Sequence, residues 1–99
     1  METVFRWDQA KARSNLRRHG VTFEEAASVF RDTLSVTIGD PLHSAEEDRF
    51  VTIGRSSRNR TLVVVHLDIG DAIRIISARL ATRRERREYE EGTPKTRTQ

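Results

Sequence analysis

Arginine is concentrated near the end of the sequence, where six arginines fall within residues 74–87. A guanidinium group binds phosphate or carboxylate through two parallel hydrogen bonds. Several of these arginines stand where a helix is predicted to begin, and cations there oppose the helix dipole, so stability alone does not account for them. A helix N-terminus attracts phosphate. The pattern predicts a phosphate site formed by Arg79 in the loop before the helix, by Arg83 and Arg84 at its start, and by Arg74 on the preceding strand.

Few side chains suit proton transfer. Glu85 and Tyr89 lie one helical turn apart, but Glu85 is also placed to cap its own helix and Tyr89 to anchor that helix to the sheet. His66 ends an apolar strand and is of a type that titrates near neutrality, although a satisfied core histidine is the more frequent outcome. His19, beside Gly20, favours a role as a helix cap or core residue.

The spacing of histidines and carboxylates predicts no metal site. His43 lies among acidic residues, but the spacing matches no ligand motif, so this segment is interpreted as a solvated loop. The sequence has no cysteine, which excludes disulfides and thiolate ligands. No cofactor is predicted.

The composition describes one small domain. The chain has 99 residues, of which 35% are hydrophobic, enough for one modest core. No apolar run is long enough to cross a membrane. The first residues, METVFRWD, do not have the form of a signal peptide. A cytoplasmic protein is the simplest expectation.

The charge is unevenly distributed. Residues 1–50 carry seven basic and nine acidic residues, whereas residues 51–99 carry eleven basic and six acidic ones. Sixteen of the basic residues are arginine. The asymmetry suggests a polyanion bound to the C-terminal half. The alternatives are a solvated basic surface and surface ion pairs with the acidic residues 46–48.

The elements that must position these residues are predicted from periodicity. A strand at 4–7 is followed by a helix at 9–19 that Asp8 caps and Gly20 ends. Thr22 and Glu25 form a capping box that opens a second helix, with an apolar stripe through residue 30. The later elements are strands at 34–38, 49–56, 62–66 and 72–77, and a helix at 82–91 opened by a second capping box.

This order predicts an α+β fold: a short strand and two helices, a four-stranded antiparallel meander and a C-terminal helix. Residues 1–91 form the single domain and residues 92–99 a tail. The helices are expected on one face of the sheet, so the second face, with Thr52, Arg74 and Ile76, must be covered by a partner or used as a site. The last helix is too polar to hold itself to a core, so contacts outside its own weak ion pairs must hold it.

Three separated blocks of the sequence resemble the BrnT toxins of bacterial type II toxin–antitoxin systems. They are N-x-x-x-H-G-V-x-F from Asn15, R-F-x-x-I-G from Arg49, and I-S-A-R…E-R…Y-E from Ile76. The resemblance covers about residues 4 to 91. One departure is Leu80, where the family often has a basic residue.

The resemblance implies a RelE-like fold and a toxin that cleaves RNA and inhibits translation. It also implies neutralisation by a BrnA antitoxin, which brings the DNA-binding module, so that the chain meets DNA only within the complex. RNA cleavage without metal needs a base, an acid and cations that stabilise the phosphorane. The predicted catalytic residues are Arg79, Arg74, Glu85, His66 and Tyr89. The predicted RNA-binding residues are Arg83, Arg84, Arg49 and Lys11. Lys11 shares one face of its helix with Asn15 and Arg18, a face that could contact RNA or antitoxin or could simply be exposed to solvent.

A different class of function remains open on the sequence alone. The helix pair at 9–30 has the order of a helix-turn-helix, which would suit a nucleic-acid-binding regulator without catalysis. Against it, the second helix uses Phe23, Ala26 and Phe30 for the core and carries Glu24 and Glu25 where recognition helices present basic or amide side chains.

Overall fold

The computed structural model describes residues 3–40 and 49–92. The predicted tail and the predicted loop around His43 lie largely outside these residues. The chain forms an α+β domain, as predicted. Its elements are β1 (Val4–Arg6), α1 (Gln9–His19), α2 (Phe23–Ser28), a 3₁₀ turn (Val29–Arg31), β2 (Val36–Gly39), β3 (Arg49–Arg55), β4 (Thr61–Ile69), β5 (Ala72–Leu80) and α3 (Arg83–Glu90).

The strands form one mixed sheet in the order β1-β5-β4-β3-β2. β2 to β5 make the predicted antiparallel meander. β1 pairs with the start of β5 in parallel. Because β1 is only three residues long, the second half of β5 has no strand on that side, and α1 packs against it instead.

Local capping follows the sequence closely. Asp8 accepts a hydrogen bond from the backbone N–H of Lys11, and Gly20 ends α1 in the left-handed region with φ 69°. Thr22 caps α2, but the predicted capping box is incomplete. The Glu25 carboxylate turns inward and accepts hydrogen bonds from Arg60 and Ser56, because an ion pair with the β3–β4 hairpin offers it stronger donors.

The core lies between α2 and one face of the sheet, called here the helix face. Its fully buried apolar residues are Val21, Phe23, Ala26, Val29, Leu62, Val64, Ile75 and Ala78. Trp7 packs edge-on against Phe23 with ring centroids 5.9 Å apart. Gly54 is required because a Cβ there would meet Val29 Cγ1 at 2.8 Å. Phe23 and Ala26 are thus buried, which leaves α2 unable to present a recognition surface to DNA.

A β-bulge in β5 determines which side chains share the opposite face, called here the second face. Val63 pairs with Arg79 and Leu67 pairs with Arg74, while the register shifts between Val65 and His66. Val63 and Leu67 point to the same side of β4, so Arg74 and Arg79 do too. Five residues apart in a regular strand, they would lie on opposite faces. The prediction that Arg74 and Arg79 lie on the same side is confirmed, because the extra residue of the bulge restores the same facing.

Three expectations about the later elements are wrong. Arg79 lies within β5 rather than in a loop, because β5 stays paired with β4 through Leu80. Thr52 lies on the helix face, where it is fully buried. α3 does not join the other helices. It contacts Arg79 and Arg55, whose strand pairing places them on the second face.

Within residues 3–40 and 49–92, no helix is long and apolar enough to cross a membrane.

Candidate active site

The site is built on Asn15, a buried residue in the middle of α1. Its Nδ2 donates to the carbonyl oxygens of Val21 (3.0 Å) and Ala78 (2.8 Å). Its Oδ1 accepts from the N–H of Ala78 at 3.1 Å. The side-chain amide thus replaces a neighbouring strand on the free edge of β5. This clamp fixes α1 beside the residues on either side of Ala78.

A cleft of about 480 Å³ runs between α1 and this edge of β5. We call it the edge cleft. Lys11, Arg18 and His19 line it from α1, on the same side of the helix as Asn15, and Arg79 lines it from β5. The lining set is completed by Ser14, Asn15, Ile76 and Ser77. Within residues 3–40 and 49–92 no carboxylate lines the cleft, so its electrostatic character is that of an anion-binding site.

Arg79 is held in place by Glu85. Its Nη1 and Nη2 donate to the two carboxylate oxygens of Glu85 at 2.9 and 3.0 Å, and Nη1 also donates to the carbonyl of Leu80 at 3.2 Å. The Arg79 side chain remains 42% exposed. A guanidinium held on one edge keeps its other N–H groups available to an anion.

The N-terminus of α3 already holds an anion, the carboxylate of Glu85. Glu85 Oε1 accepts from the N–H of Thr82 at 2.8 Å, while Thr82 Oγ1 accepts from the N–H of Glu85. The predicted capping box is therefore confirmed. The hydrogen bonds from Arg79, opposed by burial, lower the pKa of Glu85 to about 2. Glu85 is thus a fixed carboxylate at neutral pH, poorly suited to exchanging protons.

Tyr89 anchors α3 to the rest of the domain. Its hydroxyl donates a short hydrogen bond to Asp32, which also accepts from the backbone N–H groups of Arg55 and Leu34. Burial would raise the pKa of Asp32, but these hydrogen bonds outweigh burial and lower it. Burial and the carboxylate of Asp32 raise the pKa of Tyr89. The anchoring role considered for Tyr89 is confirmed, and its hydroxyl faces away from the edge cleft.

His66 is a satisfied core residue. It is 2% exposed, lies on the helix face, and its Nδ1 lies 3.0 Å from the carboxylate of Asp68. A carboxylate only accepts, so Nδ1 carries the proton and Nε2 accepts from the Thr52 hydroxyl at 2.8 Å. Burial lowers the pKa of His66, with Asp68 opposing that shift. The ring packs edge-on against Phe30, so the prediction of a catalytic His66 has no path to a substrate.

The remaining predicted arginines lie around the edge cleft rather than in it. Arg74 is exposed on the second face, in a row with Arg49 and Arg6 across the sheet. Arg83 and Arg84 are exposed at the start of α3, where Arg84 Nε donates to Glu88 at 3.3 Å. None of these lines the cleft.

The sequence favoured a structural role for His19, and Arg18 was not among the predicted site residues. Lys11, Asn15, Arg18 and His19 recur at i, i+4, i+7 and i+8, which places all of them on one side of α1. That spacing was the available signal. What the sequence did not reveal is that this side of α1 faces the free edge of β5.

Among the described residues, no three histidine or carboxylate side chains converge as a metal site would require.

Fold and cleft together define a small α+β protein whose cationic site suits a phosphate-bearing substrate. The model of a family described as "Ribonuclease toxin, BrnT, of type II toxin-antitoxin system" matches residues 7–85. The chain therefore belongs to the BrnT family and is an endoribonuclease toxin of a type II toxin–antitoxin system, with an antitoxin protein as its partner.

A solved structure supports the fold. The chain is similar to the 1.1 Å crystal structure of the Brucella abortus ribonuclease toxin BrnT, with a TM-score of 0.66. The two share 21% sequence identity, and the match covers 83% of this chain and all of the other. A comparison with curated proteins finds no match.

Proposed function

We propose that the chain cleaves RNA in the edge cleft without a metal ion. The observation that carries this proposal is that Lys11, Arg18 and Arg79 line one cleft together with His19, and that no carboxylate of the described residues lines it. The three cations supply the positive charge that a phosphorane needs, and an imidazole can exchange protons near neutral pH.

The reaction is an internal transesterification. His19 removes the proton from a ribose 2′-hydroxyl, the 2′-oxygen bonds to the adjacent phosphorus, and the bond from phosphorus to the 5′-oxygen breaks. The departing 5′-oxygen takes a proton from Lys11 or from solvent. The products are a 2′,3′-cyclic phosphate and a free 5′-hydroxyl. Arg79 and Arg18 stabilise the extra negative charge on the equatorial oxygens of the transition state.

Glu85 and Tyr89 take supporting roles in this proposal. Glu85 is a positioning residue, because its carboxylate holds both terminal nitrogens of Arg79. Tyr89 fixes the helix that carries Glu85. Arg74 and Arg49 on the second face bind RNA outside the cleft, and Arg83 and Arg84 do the same at the start of α3.

The test is to incubate the purified chain with RNA in EDTA and to identify the ends of the products. Cleavage should persist in EDTA and should leave 2′,3′-cyclic phosphates. A substrate with a single 2′-deoxyribose at the cleaved position should resist cleavage there. Loss of activity in EDTA, restored by a divalent ion, or cleavage of the 2′-deoxy position would overturn the mechanism.

The cellular role completes the proposal. Cleavage of RNA by this chain inhibits translation in the cytoplasm. The neutralising partner is a BrnA-type antitoxin, and the complex contacts DNA through that antitoxin rather than through this chain. The non-catalytic regulator is not supported, since α2 spans only six residues and buries Phe23, Glu25 and Ala26.

A further inference from the structure

The second face of the sheet carries a continuous row of aliphatic side chains. Ile38 of β2 pairs with Val51 of β3, which pairs with Val65 of β4. We call these three residues the apolar stripe. Ile38 is 54% exposed, whereas Val51 and Val65 are half-buried. The next row towards α3 is formed by Val36, Ile53 and Val63, of which Val63 is only 4% exposed, so the accessible surface does not extend that far on β4.

Arginines border the apolar stripe along one side and stand at the β5 end of the neighbouring row. On the side away from α3, Arg49, Arg74 and Arg6 occupy a single row across β3, β5 and β1. On the side of α3, Arg79 ends the neighbouring row. A partner that covers the stripe therefore needs apolar side chains against it and acidic ones along the margin that holds the exposed Arg74 and Arg6.

The dimensions of this surface suit a short protein segment. Strands lie about 4.8 Å apart, so the stripe is roughly 10 Å long from β2 to β4 and roughly 14 Å when extended to β5. Two to three turns of helix, at 5.4 Å per turn, cover that length. An aliphatic stripe does not suit RNA, since proteins that bind bases on a sheet use aromatic side chains for stacking.

We infer that the apolar stripe is the docking surface for an acidic amphipathic segment of the antitoxin. This inference rests on the proposed function for the identity of the partner. A segment seated there lies over Arg74 and reaches Arg79, so it would neutralise the toxin by covering its cationic groups. The charge pattern would also speed association and disfavour other partners.

Ile38→Glu tests the inference, because it places an acidic group at the most exposed point of the stripe. The probe is the BrnA-type antitoxin encoded beside this chain, and its affinity is measured by calorimetry. The substitution should weaken binding by roughly 10- to 100-fold, because it places a charge against the apolar side chains of the bound segment. RNA cleavage should be unchanged. Ile38→Leu should bind like the wild type.

Leu34→Glu is the matched control. Leu34 is 73% exposed and precedes β2 outside the stripe, so the same change in chemistry there should leave antitoxin affinity unchanged. Equal affinities for Ile38→Glu and wild type, or equal losses for both glutamate variants, would overturn the docking surface. A loss of RNA affinity with antitoxin binding intact would assign the stripe to RNA instead. An antitoxin that does not bind the wild-type chain would contradict both this inference and the proposed partner.

Discussion

Arg79 combines two roles in one side chain. One edge of its guanidinium is bound to Glu85 and holds α3, while the side chain also lines the edge cleft. A substitution of Arg79 therefore removes an anchor and a cation together, and the two effects must be separated by experiment.

Arg79→Ala should reduce RNA cleavage by roughly 10²- to 10³-fold, because it removes a group that stabilises the transition state. Glu85→Ala breaks the same ion pair but keeps the cation, so it should lose much less activity. It should lose at least as much thermal stability, because it also removes the capping hydrogen bond from the N–H of Thr82. Cleavage rates and melting temperatures of both variants distinguish the loss of the cation from the loss of the anchor. An Arg86→Ala/Arg87→Ala double mutant should stay nearly fully active. A folded, fully active Arg79→Ala protein would exclude a catalytic role.

His19→Ala should abolish most cleavage while leaving the fold intact, because imidazole is the proposed base. Added free imidazole should restore part of the rate, which a purely structural histidine would not allow. A rate that is unaffected by the substitution would remove His19 from the mechanism.

The sequence predicts residue types at the site better than residue roles. The arginine concentration led to Arg79, and the spacing on α1 led to Lys11. The role of His66 depends on neighbours far away in sequence, such as Thr52 and Phe30, and periodicity carries no information about those neighbours. The role of Glu85 depends on its ion pair with Arg79, which forms across the turn between β5 and α3. Residue types and spacing therefore predicted proton transfer for a carboxylate that is held in an ion pair and for a histidine that is buried.

At the scale of the element, α3 is held by its ends. Glu85 is bound to Arg79 near the start of the helix, and Tyr89 is bound to Asp32 near its end. Arg55 also contacts the Tyr89 ring, with its guanidinium carbon 5.7 Å from the centroid, and pairs with Glu90 at 3.1 Å. These contacts explain how a helix with little apolar surface stays on the sheet.

Tyr89→Phe should lower stability by about 1–2 kcal/mol, because a partly buried carboxylate loses a hydrogen bond. For a domain of this size, the melting temperature should fall by roughly 4–8 °C per kcal/mol. Cleavage at temperatures where the variant is folded should stay near the wild-type rate. A large loss of activity in a stable Tyr89→Phe protein would instead give the hydroxyl a chemical role.

The Glu85 anchor should weaken in acid. Its folded pKa of about 2 lies below the ordinary value of 4.5, so its contribution to stability is complete above about pH 4.5 and is lost as the pH falls towards 2. Wild type should therefore melt above Glu85→Gln at pH 6, and the gap should narrow between pH 4.5 and 3. A gap that is constant over this range would show that ionisation of Glu85 does not stabilise the fold.

Local signals predicted the elements well, and long-range pairing decided the rest. Asp8, Gly20 and Thr82 marked helix ends correctly because capping depends on neighbours in sequence. The length of β5 depends on β4 and on Asn15, which lies 63 residues from Ala78, so the strand was ended too early. The bulge that brings Arg74 and Arg79 to one face could not be predicted, because the isoleucines around it give no local sequence signal for an extra residue in the strand.

For the whole molecule, the two faces of the sheet have different roles. The helix face is filled by the core, which fixes the fold, while the second face and its free edge carry the arginines and the apolar stripe. Cleavage and neutralisation are thus assigned to adjoining surfaces that share Arg79. A partner on the stripe can silence the enzyme without entering the core.

This arrangement predicts separable phenotypes when the chain is expressed in bacteria. Wild type should arrest growth, and co-expression of the BrnA-type antitoxin should restore it, because bound antitoxin covers the arginines. Arg79→Ala should be harmless with or without antitoxin, since its RNA cleavage is too slow to arrest growth. Ile38→Glu should arrest growth like wild type but should be relieved poorly, because cleavage persists while docking fails. Growth curves and protein levels for the three forms, with Leu34→Glu as control, measure this directly. Soluble wild type that is harmless at high level would contradict the toxin's cellular role, whereas an Ile38→Glu protein that is fully relieved would contradict only the docking surface.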